Sequence, residues 1–116
     1  MIRKNGEFIT ETREKMRGGE GKVTIEKIWE PGKDLKAKTR LFAKLILEPG
    51  SSIGFHKHEN EEEVFLILKG EAELDDNGKT SLLKAGDSIL TGGGAGHSVK
   101  CSGKSPLEIL AVISEY

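Results

Sequence analysis

The sequence predicts an all-β fold, a sandwich or a closed barrel, and three observations carry that expectation. Fifteen glycines and three prolines punctuate short apolar runs along the 116 residues, the rhythm of strands joined by turns. The runs recur about every 8–12 residues, as a sandwich or barrel requires. No segment sustains a helical period; residues 11–21 allow a single turn before their glycines.

In chain order the candidate strands are residues 7–11, 22–29, 39–47, 63–70, 71–75, 80–85, 87–91, 97–101 and 107–114. Between the fifth and sixth, Asn77-Gly78 tolerates the positive φ of a tight hairpin turn. Residues 31–39 read as a polar loop and a candidate lid. Side chains alternate faces along a strand. In the third strand the odd set Leu41, Ala43, Leu45 and Leu47 is therefore the core face, with Arg40 and Lys44 opposite. In the fourth, Phe65 and Ile67 share one face and Val64, Leu66 and Leu68 the other, so both are apolar. That predicts either a homodimer covering the second face or a strand enclosed on both sides within one chain.

Composition bounds the function. Charged residues make up 32% of the chain but cancel to a formal net charge of -1, with no basic block. Nothing there favours nucleic acid or an anionic membrane surface as partner, and no DNA-reading helix pair is legible. The single cysteine, Cys101, permits no internal disulfide. No signal-peptide core and no run approaching about 20 apolar residues is present. The expectation is one cytoplasmic domain over residues 1–116, with N-terminal strands to about residue 48 and a closing strand at about 106–114.

The chain has three histidines, and two of them, His56 and His58, are one residue apart. In a strand they would point to one side, about 6.6 Å apart along the chain, and could converge on one ion through ring nitrogens. A carboxylate from the run Glu59–Glu63 would add an oxygen ligand, and His97 is the remaining imidazole. Glu62 and Glu63 both lie at usable spacings. Glu61 or Glu62 would be left to accept a hydrogen bond from a ligand histidine. The glycines at 92–96 precede a strand with no Lys-Ser/Thr after them, which favours a tight turn delivering His97 over a phosphate cradle. Cys101 shares the parity of His97 but lies about 13 Å further along a strand, so it reads as a small buried hydrophobe.

These residues resemble the cupins, whose first motif runs Gly, five residues, His-x-His, three or four residues, Glu, six residues, Gly. Gly50, His56, His58, Glu63 and Gly70 match every defined position, and only Glu63 leaves six residues before Gly70. The second motif is matched at Gly86, Gly94 and His97, while Gly92 stands where the family has proline and Cys101 where it has asparagine. The two motifs span residues 50–101. The resemblance implies a double-stranded β-helix, the jelly-roll barrel, holding one divalent transition metal ion (Fe, Mn, Ni, Zn or Co) on His56, His58, Glu63 and His97. Two functions follow from it. One is a metal-dependent enzyme acting on a small organic metabolite, a dioxygenase, decarboxylase, isomerase or lyase. The other is a non-catalytic binding or sensor module with a structural metal. The sequence places no arginine pair or lysine inside to grip an anionic substrate.

Overall fold

A computed structural model describes all residues, Met1–Tyr116. Ten strands follow one another: β1 (Ile9–Glu14), β2 (Lys22–Lys27), β3 (Thr39–Leu47), β4 (Ser52–Lys57), β5 (Glu61–Lys69), β6 (Glu71–Asp76), β7 (Lys79–Lys84), β8 (Ser88–Gly92), β9 (Gly96–Cys101) and β10 (Leu107–Glu115). One 3-10 turn, Met16–Gly18, separates β1 from β2. The strands form two antiparallel sheets, a six-stranded one in the order β1-β2-β3-β10-β5-β8 and a four-stranded one in the order β4-β9-β6-β7. This is the expected jelly-roll arrangement of two sheets facing each other.

Alternation decides what lies between them. The larger sheet sends in Val23 and Ile25, then Ala43, Leu45 and Leu47, Phe65 and Ile67, and Leu107, Ile109 and Ala111; the smaller sends in Ile53, Ala72, Leu74, Val99 and Cys101. Each fully buried Val, Leu, Ile or Phe contributes about 1.5–3 kcal/mol, so slipping any one strand by a residue would forfeit several such terms. The odd set of β3 is the core face, as alternation predicts. The Cys101 thiol is buried and donates to the Ser105 carbonyl at 3.3 Å. Asn77 (φ 50°) and Gly78 (φ 98°) make the two-residue turn between β6 and β7, where Asp76 pairs with Lys79.

Four elements differ most from the sequence reading, and one of them, β2, stops at Lys27, two residues short of the expected end. β4 is an additional strand, because Ser52–Lys57 pairs along β9 despite Gly54 within it. β1 runs further, to Glu14, since its residues pair one-to-one with β2 as far as Lys22. β5 starts two residues earlier, at Glu61. The segment after β2 is held in place by Arg3. Its guanidinium donates to Asp34 at 2.9 Å and to the Ile28 carbonyl at 2.8 Å, and stacks over Trp29 at 4.7 Å.

Candidate metal centre

His56 on β4 and His97 on β9 are direct partners in the antiparallel register. Facing residues of such a pair hold their Cβ atoms about 4.5–5.5 Å apart, so sheet geometry alone brings these two imidazoles together. His58 lies just past the end of β4, where its backbone N–H donates to Ala95 O at 3.0 Å and its carbonyl accepts from Gly94 N at 2.8 Å. Gly93 N also donates to Glu61 O at 3.3 Å. The glycine segment thus spends its amides on the chain around His58, as a turn delivering His97 would, rather than offering them to a phosphate.

Glu63 arrives from the other sheet. Asn60 takes a left-handed φ of 59° and β5 begins directly after it. Glu61 and Glu63 then point inward and Glu62 outward. Glu63 is 4% exposed, and its Oε1 lies 3.0 Å from Nε2 of both His58 and His97. His97 Nε2 is 3.1 Å from His58 Nε2 and 3.2 Å from His56 Nε2. Four donor atoms, one from each of these residues, therefore gather within 4.8 Å of one another.

The protons sit on the outside of this cluster. His56 Nδ1 is 2.8 Å from Gly54 O, and His58 Nδ1 is 2.6 Å from Glu61 Oε2. A carbonyl and an ionised carboxylate only accept, so each ring keeps its proton on Nδ1 and turns the lone pair of Nε2 inward. Burial holds the His56 pKa below its ordinary value, only partly offset by the Gly54 carbonyl, so this ring stays neutral. Glu63 first, and Glu61 with it, draws the His58 pKa up against desolvation. Burial pushes the Glu63 carboxyl up, but the His58 and His97 rings outweigh it and leave the pKa lowered. With the Nδ1 protons of His56 and His58 facing outward, Glu63 Oε1 is buried with no hydrogen-bond partner. Inward lone pairs around an orphaned carboxylate oxygen are a donor set suited to a divalent cation, and the cluster is able to hold a metal ion.

Glu61 is the carboxylate that supports a ligand histidine, one of the two that the sequence left open. Arg40 grips it through two nitrogens at 2.8 Å each. That guanidinium first, and His58 as well, holds the Glu61 pKa down at about 2 against the opposing effect of burial. Phe65 stacks on His97 with ring centroids 4.8 Å apart and planes 15° apart.

A cavity of about 340 Å³ adjoins the cluster and is lined by His56, His58, Glu63 and Phe65, among others. The sequence reading of an interior without cations is corrected here: Arg13, Arg17, Lys27 and Arg40 all line this cavity. They come from the 3-10 turn and from β1, β2 and β3, which are adjacent strands of the larger sheet. Glu11 pairs with Arg13 at 2.7 Å and with Lys27 at 3.5 Å, and Arg40 is committed to Glu61. Arg17 is the lining cation without a carboxylate partner. Its backbone is left-handed, φ 55°, and the turn packs so closely on β4 that a Cβ at Gly54 would collide with the Arg17 carbonyl.

Comparison with known proteins bears on this site. The family model described as Cupin domain matches residues 43–113, more than half of the chain. A curated relative from Thermotoga maritima, described as an oxalate-binding protein, is 43% identical over 113 residues, covering 97% of this chain and 93% of its own. A crystal structure from the same organism, of a protein described as a predicted oxalate decarboxylase, covers 100% of both chains with a TM-score of 0.94 and 42% identity. The cupin domain of Cnp3 from Schizosaccharomyces pombe shares the fold alone, with a TM-score of 0.74 at 13% identity over 91% of this chain and 69% of that one.

Proposed function

The chain belongs to the cupin family, and on that premise we propose that it binds one divalent transition metal ion through His56, His58, Glu63 and His97 and uses it to hold a small dicarboxylate of the oxalate type. The observation that carries this reading is the inward-facing donor set opening onto a cavity with an unpaired arginine. Three of the four donors line that cavity, so a ligand entering it meets the ion directly. The bound metal would supply a Lewis-acid anchor for one carboxylate. Arg17 would supply a charge-assisted grip for the other. The relative described as oxalate-binding supports the choice of ligand.

Binding is favoured over turnover because the acidic residues of the cavity wall are tied up in ion pairs. Decarboxylation of oxalate breaks the C–C bond, releases carbon dioxide and leaves a carbon that must take up a proton to become formate. Glu11 and Glu30 line the cavity, but Arg13 holds the Glu11 pKa below its ordinary value and Lys33 pairs with Glu30 at 3.4 Å. Both carboxylates are committed to cations. The experiment is calorimetric titration of oxalate into metal-loaded and metal-free protein, followed by carbon-13 NMR of a labelled incubation. Oxalate binds the loaded protein alone, and Arg17→Ala weakens it by about tenfold or more, the scale of one lost charged hydrogen bond. No labelled formate appears. Equal binding with and without metal sinks the proposal, and steady formate production makes the protein an enzyme.

The same reading includes a homodimer. Val64 and Leu68 are 38% and 41% exposed on β5, and Leu90 beside Val64 on β8 is 64% exposed. Leu66 and Leu110, paired across β5 and β10, continue this outward apolar face. A second copy covering it would explain why both faces of β5 are apolar.

A further inference from the structure

Each imidazole in the cluster is held differently at its outer nitrogen. His56 is fixed by a backbone carbonyl, Gly54 O, and His97 Nδ1 is buried with no partner. His58 alone relies on side chains. Its Nδ1 donates to Glu61 Oε2 at 2.6 Å, and Arg40 Nε and Nη2 donate to Glu61 Oε1 and Oε2 at 2.8 Å each. The three side chains run inward from the cavity edge, Arg40 43% exposed, Glu61 12% and His58 2%. We infer that Arg40 and Glu61 act as one positioning unit that sets the tautomer and orientation of His58, and through them the affinity of the cluster for metal. The inference rests on the proposed metal centre and goes beyond its ligand set.

A lone glutamate would be a poor orienting group, because its side chain has three rotatable bonds and several ways to meet an imidazole. The planar guanidinium removes that freedom by fixing both carboxylate oxygens at once. With both oxygens already accepting from the guanidinium, Glu61 meets His58 Nδ1 as an acceptor. The proton between Glu61 and His58 therefore stays on Nδ1, which raises the basicity of Nε2 toward the ion. Lysine at position 40 would keep the charge but present no fork. The pair adds little to folding, because Arg40 is substantially exposed and such ion pairs are worth little. A positioning role and a structural one therefore give opposite signatures.

Two readouts test this. Cobalt(II) is titrated into metal-free protein and followed by visible absorption, for wild type, Glu61→Gln, Arg40→Leu, Arg40→Lys and the control Lys104→Ala, an exposed residue away from the cavity. Separately, nitrogen-15 NMR of the metal-free protein reports the His58 tautomer at a pH where the ring is neutral. Glu61→Gln weakens cobalt binding about 10–100-fold and changes its absorption band. Arg40→Leu weakens it by a smaller factor, Arg40→Lys recovers part of that, and Lys104→Ala changes nothing. The wild-type ring is protonated on Nδ1, and both tautomers appear in Glu61→Gln and Arg40→Leu, with the metal-free melting temperature of Arg40→Leu little changed. Wild-type cobalt affinity in Arg40→Leu, or affinity lost only in step with melting temperature, overturns the inference. Failure of wild type itself to bind cobalt overturns the effect on affinity together with the metal centre, while the NMR arm still judges whether Arg40 and Glu61 orient the ring.

Discussion

Asn60 turns the chain with a φ of 59°, and that one left-handed residue decides which glutamate faces the histidines. It resets strand parity, so that the strand beginning at Glu61 aims Glu63 at His58 and His97 and leaves Glu62 outside. The sequence offered both Glu62 and Glu63, because parity could not be counted across an acidic link of unknown geometry. Phe65 follows two residues on, 2% exposed and stacked on His97. Phe65→Ala should cost about 3–5 kcal/mol of stability, read from denaturant midpoints, and should free the His97 ring as well. Glu61 supplies a pH test. Its carboxyl is held at about 2, from an ordinary 4.5, chiefly by Arg40. A lowered pKa stabilises the fold fully above 4.5, and the gain is lost as pH falls through about 2. The stability difference between wild type and Glu61→Gln, measured on metal-free protein, should shrink across that window. A difference constant with pH would show that Glu61 is not held as described.

At the scale of elements, the pairing of β4 with β9 makes His56 and His97 neighbours, and the pairing of β5 with β8 holds Glu63 against them. β4 was not legible beforehand, because Ser-Ser-Ile-Gly-Phe-His carries neither clean alternation nor a long apolar run. Its residues are strand only because β9 lies alongside. The His-x-His pattern was legible regardless, since it depends on residue type and spacing rather than on pairing. The four cavity cations were invisible for the opposite reason: they are scattered in sequence, and the lateral pairing of β1, β2 and β3 that brings three of them onto one sheet is not legible from periodicity. Gly92 marks a close approach within this element pair. A Cβ there would lie 2.5 Å from Glu62 Cβ and 2.8 Å from Glu61 O. Gly92→Ala should therefore push β8 off β5 at the level of Glu61 and Glu63, costing about 1–3 kcal/mol and weakening metal binding. Unchanged cobalt affinity and stability would show that the strands part there without consequence.

For the whole molecule, the candidate ligands come from both sheets, three histidines from the four-stranded side and Glu63 from the six-stranded one. An ion bound there ties the sheets together across the core. Metal should raise the melting temperature by simple linkage, by about 2.7 kcal/mol of stability at a hundredfold excess over Kd. The apolar outer face of the larger sheet predicts a hydrodynamic mass near twice 12.7 kDa, and a clean monomer at micromolar concentration would remove the second copy from the account. The alternation that predicted two apolar faces on β5 held, with Phe65 and Ile67 buried and Val64 and Leu68 outside. What covers the outer pair is a property of the assembly, which strand periodicity alone does not encode.

The measurement that bears most directly on the metal centre is elemental analysis of protein purified without a chelating tag and reloaded with metal, set beside His56→Ala and His97→Ala. The account predicts about one transition metal ion per chain in wild type, the stoichiometry of a single four-donor site, and a large loss of bound metal in both variants. Less than about a tenth of that in reloaded wild type, or the same content in the variants, would contradict it.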